Sequence, residues 1–399
     1  MYSLSSFGLR ARSKDSSTLV YDEYYTFVLR KINGIFTPIS TYTIPSNNSL
    51  TRLSANGNIV ACVQARTNPS WTNRIQVYEY SGSGTNWNIL SDASNISILV
   101  SVGGDDTLLR IKHIDLSDDG HTISMSIDKI GGLSYYESSD FEVRVYSYDI
   151  NTTTWVQKGA TFERYDTTTN DTTDDNEYFG MPTKLSPDGS KLAIVSSVKG
   201  NTLDSTMKIY EYDVNDTTNS YEEGPTNWKL INTLIWNTKA NNYTNSNYKD
   251  FLGNISDDLN TLVINQFSGY SSGWGQNIKV FTYNNTWSER SFPFTNLSVP
   301  SIISGDGRSI ALTNPNERSG TVANGGYNGV VYIYTLNNDS YSLTNTLYCE
   351  PQLYSNNNSS AKVGELGAKE NRYGMQIASA DFSSIFTLAN RWNTDSVIY

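Results

Sequence analysis

Two histidines, His113 and His121, are the only imidazoles in the 399-residue chain. An imidazole that activates a nucleophile needs a partnered Ser or Cys, and no G-x-S-x-G or comparable setting accompanies either one. Metal-ligand spacing around them is absent as well, so the expectation is no cofactor and no metal. Carboxylates are the next group that could do chemistry. A glycosidic bond is cleaved by two acids facing each other across it, and Asp105, Asp106, Asp115, Asp250 and Glu365 are the candidates. Their spacing alone does not bring any two together. The run Asp166–Glu177, DTTTNDTTDDNE, offers hard oxygen ligands of the kind calcium takes, but a run of like charge is also what a solvated loop looks like.

Aromatic side chains carry a third kind of chemistry. Trp71, Tyr135, Tyr136, Trp236, Tyr243, Tyr270, Trp274, Tyr327 and Trp392 fall in or beside irregular stretches. Rings so placed suit a protein interface or the stacking of sugars, and equally the packing of loops onto a scaffold.

The elements that must position these residues are legible as a repeat. KLSPDGSKLAIV, Lys184 to Val195, reads as a strand, a tight turn at Ser186-Pro187-Asp188-Gly189, and a second strand with Leu192 and Ile194 alternating inward. The frame recurs at Ser13, Ser54, Ser117, Ser186, Ser256, Ser304 and Ser379, with Asp or Asn two positions on and an aliphatic residue six positions on. A catalytic group is needed once, whereas a turn is needed in every unit, so the Ser-x-Asp motifs are read as structural. A third strand follows as apolar-x-apolar-aromatic, for example Ile75-Gln76-Val77-Tyr78 and Met207-Lys208-Ile209-Tyr210. A fourth is marked by Trp87, Trp155, Trp228, Trp287 or Tyr341, with Phe36 in the first unit.

Seven units of about 57 residues lie in the range of propeller-type repeats. The expected fold is all-β, a single seven-bladed β-propeller of four-stranded blades spanning 1–399. Its blades begin near 7, 50, 108, 179, 251, 299 and 373. The last unit ends at its third strand, Ser396-Val397-Ile398-Tyr399. A strand within residues 1–6 is therefore expected to complete the last blade and remove its exposed edge.

Composition narrows the partners. A net charge of −11 and a pI near 4.7 argue against nucleic acid and anionic membranes as partners. No apolar run is long enough to cross a bilayer, and the N-terminus lacks an apolar signal core. Cys62 and Cys349 fall in different units, which excludes a disulfide framework.

The aromatic-Gly pairs Phe7-Gly8, Phe179-Gly180 and Tyr373-Gly374 precede first strands. Followed by L-S-x-D-G-x-x-L, V-x-V-Y and a Trp, they resemble the FG-GAP-like and WD40-like propeller repeats of large DNA viruses and marine microbes. The calcium loop D-x-D-x-D-G of integrin-type members does not occur here. The resemblance implies a non-enzymatic structural or protein-interaction component, capsid-associated or on the surface of a virus particle, made in the cytoplasm without a signal peptide. Its partners would be proteins of a larger assembly. A carbohydrate-binding or adhesion propeller, with glycans as partners, is one alternative; a carboxylate-dependent glycosidase or lyase is the other.

Overall fold

The computed structural model describes residues 8–12, 14, 18–22, 25–33, 35–39, 44–45, 48–64, 74–90, 108–130, 140–163, 177–198, 205–220, 223–236, 252–268, 275–293, 301–314, 330–348, 362–363, 376–378, 385–390 and 397–398. Every regular element among them is a strand, and every strand pairing is antiparallel.

The second repeat forms a four-stranded sheet in chain order: Asn48–Leu53, Ile59–Gln64, Arg74–Tyr80 and Trp87–Ile89. The third follows with Leu108–Leu116, Thr122–Ile130, Asp140–Asp149 and Thr154–Gln157; Phe162–Glu163 adds to its third strand. Glu177–Leu185, Lys191–Val198, Ser205–Tyr212 and Trp228–Trp236 make the fourth. Repeats 5 and 6 build the same four-stranded order from Leu252–Ile255 to Arg290 and from Ser301–Ile303 to Tyr348. In the last repeat Val397–Ile398 lies along Leu388–Ala389, the place of a third strand. Residues 1–6 lie outside the described residues.

The repeated turn works as the side-chain chemistry demands. Ser186 Oγ donates to Asp188 Oδ1 at 2.6 Å and accepts the Lys191 N–H at 2.9 Å, while Asp188 Oδ1 accepts the Ser190 N–H at 3.0 Å. The same bonds close the turns at Ser117, Ser256 and Ser304, and at Ser54 with Asn56 supplying the acceptor. Gly189 sits at φ 66° with its Cα against Thr122 of the preceding repeat, so that a Cβ there would come within 2.6 Å of Thr122 Cβ. Repeat 5 takes the same left-handed conformation with Leu259, φ 61°.

The chain divides into two compact units, one of Met1–Glu23 with Asn247–Tyr399 and one of Tyr24–Ser246. Within the second, the core lies between successive sheets. Ala61, Val63, Ile75 and Val77 of repeat 2 pack on Ile114, Ile123, Met125 and Ile127 of repeat 3. Val143, Val145 and Phe162 of repeat 3 meet Leu192, Ile194, Tyr210 and Trp228 of repeat 4. Alternating side chains from facing sheets fill the gap, the usual solution for stacked antiparallel sheets. Three of the repeat tryptophans latch their sheet to the one before it. Trp87 Nε1 donates to Ile39 O at 2.8 Å, Trp155 Nε1 to Leu90 O at 3.2 Å and Trp228 Nε1 to Lys158 O at 2.9 Å. In the other unit, Val263, Ile278 and Val280 of repeat 5 pack on Ile310, Leu312 and Tyr334 of repeat 6.

Candidate functional site

Three first strands carry polar side chains two positions before their turn serine: Arg52, Asp115 and Lys184. First strands are edge strands in these sheets, so their outer groups need partners. Asp115 supplies them. Its Oδ2 accepts the Leu185 N–H of the next sheet at 2.7 Å and lies 3.6 Å from Lys184 Nζ, while Oδ1 lies 3.9 Å from Arg52 Nε. Two residues earlier on the same strand, and therefore on the same face, stands His113.

His113 joins the three sheets. Arg52 Nη2 lies 3.1 Å from its Nε2, and Thr183 Oγ1 lies 3.1 Å from its Nδ1. A guanidinium has only donors, so Nε2 accepts; on the other side of the ring Nδ1 faces both Thr183 Oγ1 and the Thr183 N–H, the latter at 3.4 Å. Thr183 Oγ1 is also 3.1 Å from Ser124 Oγ, which extends the chain of bonds to the second strand of repeat 3. Burial, then the positive charges of Arg52 and Lys184, hold the His113 imidazole well below its ordinary 6.5. It is neutral at neutral pH. Burial also draws the Arg52 guanidinium down, with Asp115 pulling the other way.

The cluster is sunk in protein but open to solvent. Arg52 and Lys184 keep 32% and 23% of their side-chain surface exposed, against 10% for Asp115. Two cations, one anion and a neutral imidazole give a site of net positive charge, in a chain whose overall balance is −11. Such a site selects an anion and places an unprotonated nitrogen beside it.

Asp115 is the one candidate carboxylate among the described residues, and its partners there are cations and a backbone N–H. Asp105, Asp106, Asp250 and Glu365 lie outside the described residues, as does the Asp166–Glu177 run up to its last residue. Of the aromatic candidates, Trp236 ends the fourth strand of repeat 4 with 4% of its surface exposed. Trp71, Tyr135, Tyr136, Tyr243, Tyr270, Trp274, Tyr327 and Trp392 lie outside the described residues. His121 stacks on Tyr148 and sits 3.5 Å from Asp119 at a turn. Cys62 is buried, and its Sγ donates to Gln76 O at 3.6 Å. No group of three metal-ligating side chains occurs among the described residues. Arg52, Thr183 and Lys184 escaped the sequence reading, although the position two before each turn serine held two of them in view.

No protein-family model matches the chain, and no curated protein matches it. Solved structures do. Hydrazine synthase of Kuenenia stuttgartiensis is 11% identical with a TM-score of 0.46, over 98% of this chain and 94% of that one. The periplasmic gluconolactonase of Pseudomonas aeruginosa is 13% identical with a TM-score of 0.46, over 85% and 83%. The β-propeller domain of the trilobed protease of Pyrococcus furiosus is 12% identical with a TM-score of 0.45, over 88% and 82%. The fold is all-β, a succession of antiparallel four-stranded sheets in chain order, the repeat of a propeller fold.

These findings correct two expectations. The resemblance of the repeats, with the absent signal core, implies a non-enzymatic structural component of a virus particle. One repeat fold hosts many unrelated functions, so the repeat pattern is no mark of a purely structural role; two of the similar structures are named as enzymes, a hydrazine synthase and a gluconolactonase. The reason is physical: the repeat records how blades are built and packed, while chemistry is set by a few side chains on strand edges and loops. The FG-GAP-like label goes no further than the fold, since no family model matches.

Proposed function

We propose that this chain is an enzyme, a lyase that removes a proton next to the carboxylate of an anionic, sugar-acid-like substrate. The observation that carries the reading is a neutral imidazole, His113, bonded at Nε2 to Arg52 inside a cluster of net positive charge. Arg52, whose Nη1 donates to Thr51 O and whose Nη2 donates to His113, carries the planar fork that pairs a carboxylate once it turns to one, and Lys184 adds a second charge. A carboxylate that takes Arg52 draws its guanidinium off Nε2 and offsets the cations that depress the imidazole. Basicity then rises where the proton must be accepted. Nδ1, held by Thr183, keeps the ring in the orientation that points Nε2 at the substrate. Loss of the proton and departure of an oxygen at the neighbouring carbon leave an unsaturated product, the leaving oxygen being protonated by solvent. Among the described residues a paired-acid glycosidase fits less well, because Asp115 faces cations and a backbone N–H.

The test is turnover of polyuronides and sugar acids by the full chain, followed by the ultraviolet absorbance of the unsaturated product. His113→Gln should lower kcat by about 10²-fold or more, the usual share of a general base. Arg52→Ala should act chiefly on KM. Absence of turnover and of binding across that substrate class, or full activity in His113→Gln, ends the reading.

The finer architecture belongs to the same proposal. Seven agreeing turn registers support seven blades in one domain, with residues 1–6 beside Val397–Ile398 in the last. Electron-microscopy class averages along the ring axis should then show seven-fold pseudosymmetry, and another blade number would refute it.

A further inference from the structure

A pocket of about 450 Å³ opens between the third and fourth sheets, on the side of the core away from the His113 cluster. Its floor is the fourth sheet itself. Ser196 lies opposite Thr206 and Ile194 opposite Lys208 in strand register, and opposed residues point to one face. Thr183, the partner of His113, continues the row at Ile194. Ile194, 2% exposed, thus stands between pocket and cluster, and Thr183 lies two strand spacings, about 10 Å, from Lys208. The two sites are separate.

The lining defines the ligand. Phe162, Phe179 and Tyr210 supply aromatic surface, the rings of Phe162 and Tyr210 being 4.8 Å apart. Hydroxyl and amide groups come from Ser196, Thr206, Asn219 and Ser220. An apolar ligand would strip water from Thr206 and Asn219 and return no hydrogen bonds. The two charged liners are Glu163 and Lys208, of opposite sign, so neither an anion nor a cation gains a net Coulomb advantage. What remains is an uncharged molecule with many hydroxyls and an apolar C–H face for the rings. The volume lies in the range of about 300–1,000 Å³ that holds small molecules.

We propose that this pocket is a second binding site, for a neutral mono- or disaccharide. It is independent of the chemistry assigned to His113.

Calorimetric titration of the full chain with neutral hexoses and their disaccharides, beside glucuronate and glucosamine as charged counterparts, tests it. Saturable binding of a neutral sugar is expected, tighter than that of its charged counterparts. Thr206→Phe, which fills the pocket from the third strand, should weaken binding at least tenfold. His113→Gln should leave it unchanged, so failure here and failure of the proposed reaction are told apart. Should Thr206→Phe melt early, Asn219→Ala at the exposed rim should still weaken binding several-fold with the melting temperature retained. The proposal is overturned if no neutral saccharide binds, if charged counterparts bind as tightly, or if neither pocket variant weakens binding.

Discussion

His113 Nε2 accepts a hydrogen bond from Arg52 Nη2 across 61 residues of sequence, at 3.1 Å, and this contact ties the first strands of repeats 2 and 3 together. It sets an imidazole beside a fixed positive charge, which is unfavourable for a second proton on the ring. A direct consequence is a pH dependence of stability.

Below the ordinary histidine value of 6.5 an unfolded chain takes up a proton at position 113 that the folded chain refuses. The unfolded state then binds more protons, so stability falls as pH drops from about 6.5 toward the lowered folded value, and is regained on raising the pH. Urea denaturation at a series of pH values should show this loss. In His113→Gln the slope over that window should flatten.

Asp115 is the anionic partner of two cations and of the Leu185 N–H. Asp115→Ala leaves that N–H and both cations without it. A cost of about 2–3 kcal/mol is expected, the scale of a charge-assisted hydrogen bond lost from a buried site. Asp115→Asn can keep the N–H bond and should cost less. Urea midpoints of the two variants provide the comparison.

Trp228 is fully buried and donates to Lys158 O. Trp228→Ala should cost about 3–5 kcal/mol, from lost burial and the cavity left behind. Trp228→Phe keeps most of the volume and should cost about 1–2 kcal/mol, largely the missing hydrogen bond. Equal costs would mean that the latch to the preceding repeat contributes nothing.

Asp188 is held at about 2, below its ordinary 3.8, chiefly by the bonds from Ser186 Oγ and the Ser190 N–H. Its contribution is complete above about pH 3.8 and is lost as pH falls through about 2, because the native carboxylate resists protonation more than the unfolded one. Asp188→Ala should cost about 1 kcal/mol at neutral pH. Asn56 fills the same place in repeat 2, so Asp188→Asn should cost less and abolish the acid-side loss. Acid titration of the melting temperature reads both.

Two glycines separate strain from collision. Gly82 and Gly189 both have positive φ, but a Cβ at Gly82 meets nothing within 4 Å, whereas one at Gly189 comes within 2.6 Å of Thr122 Cβ. Gly82→Ala should therefore cost about 1 kcal/mol of backbone strain. Gly189→Ala adds overpacking of about 1–3 kcal/mol. Thermal melts of the two variants should differ accordingly.

The repeat was legible in the sequence because each blade obeys local rules. Ser-x-Asp-Gly closes a turn with bonds spanning five residues, and the alternation of Leu192 and Ile194 follows from the two-residue period of a strand. Trp87, Trp155 and Trp228 marked fourth strands for the same reason, recurring at one register. The site was not legible. Arg52, His113 and Thr183 are 61 and 70 residues apart, and no local pattern relates them. Stacking of one sheet on the next brings their edge strands together, and only there do burial and two neighbouring cations make His113 a neutral group. Sequence spacing decided the turns and strands; the packing of edges, a long-range consequence of apolar burial, decided which side chains meet.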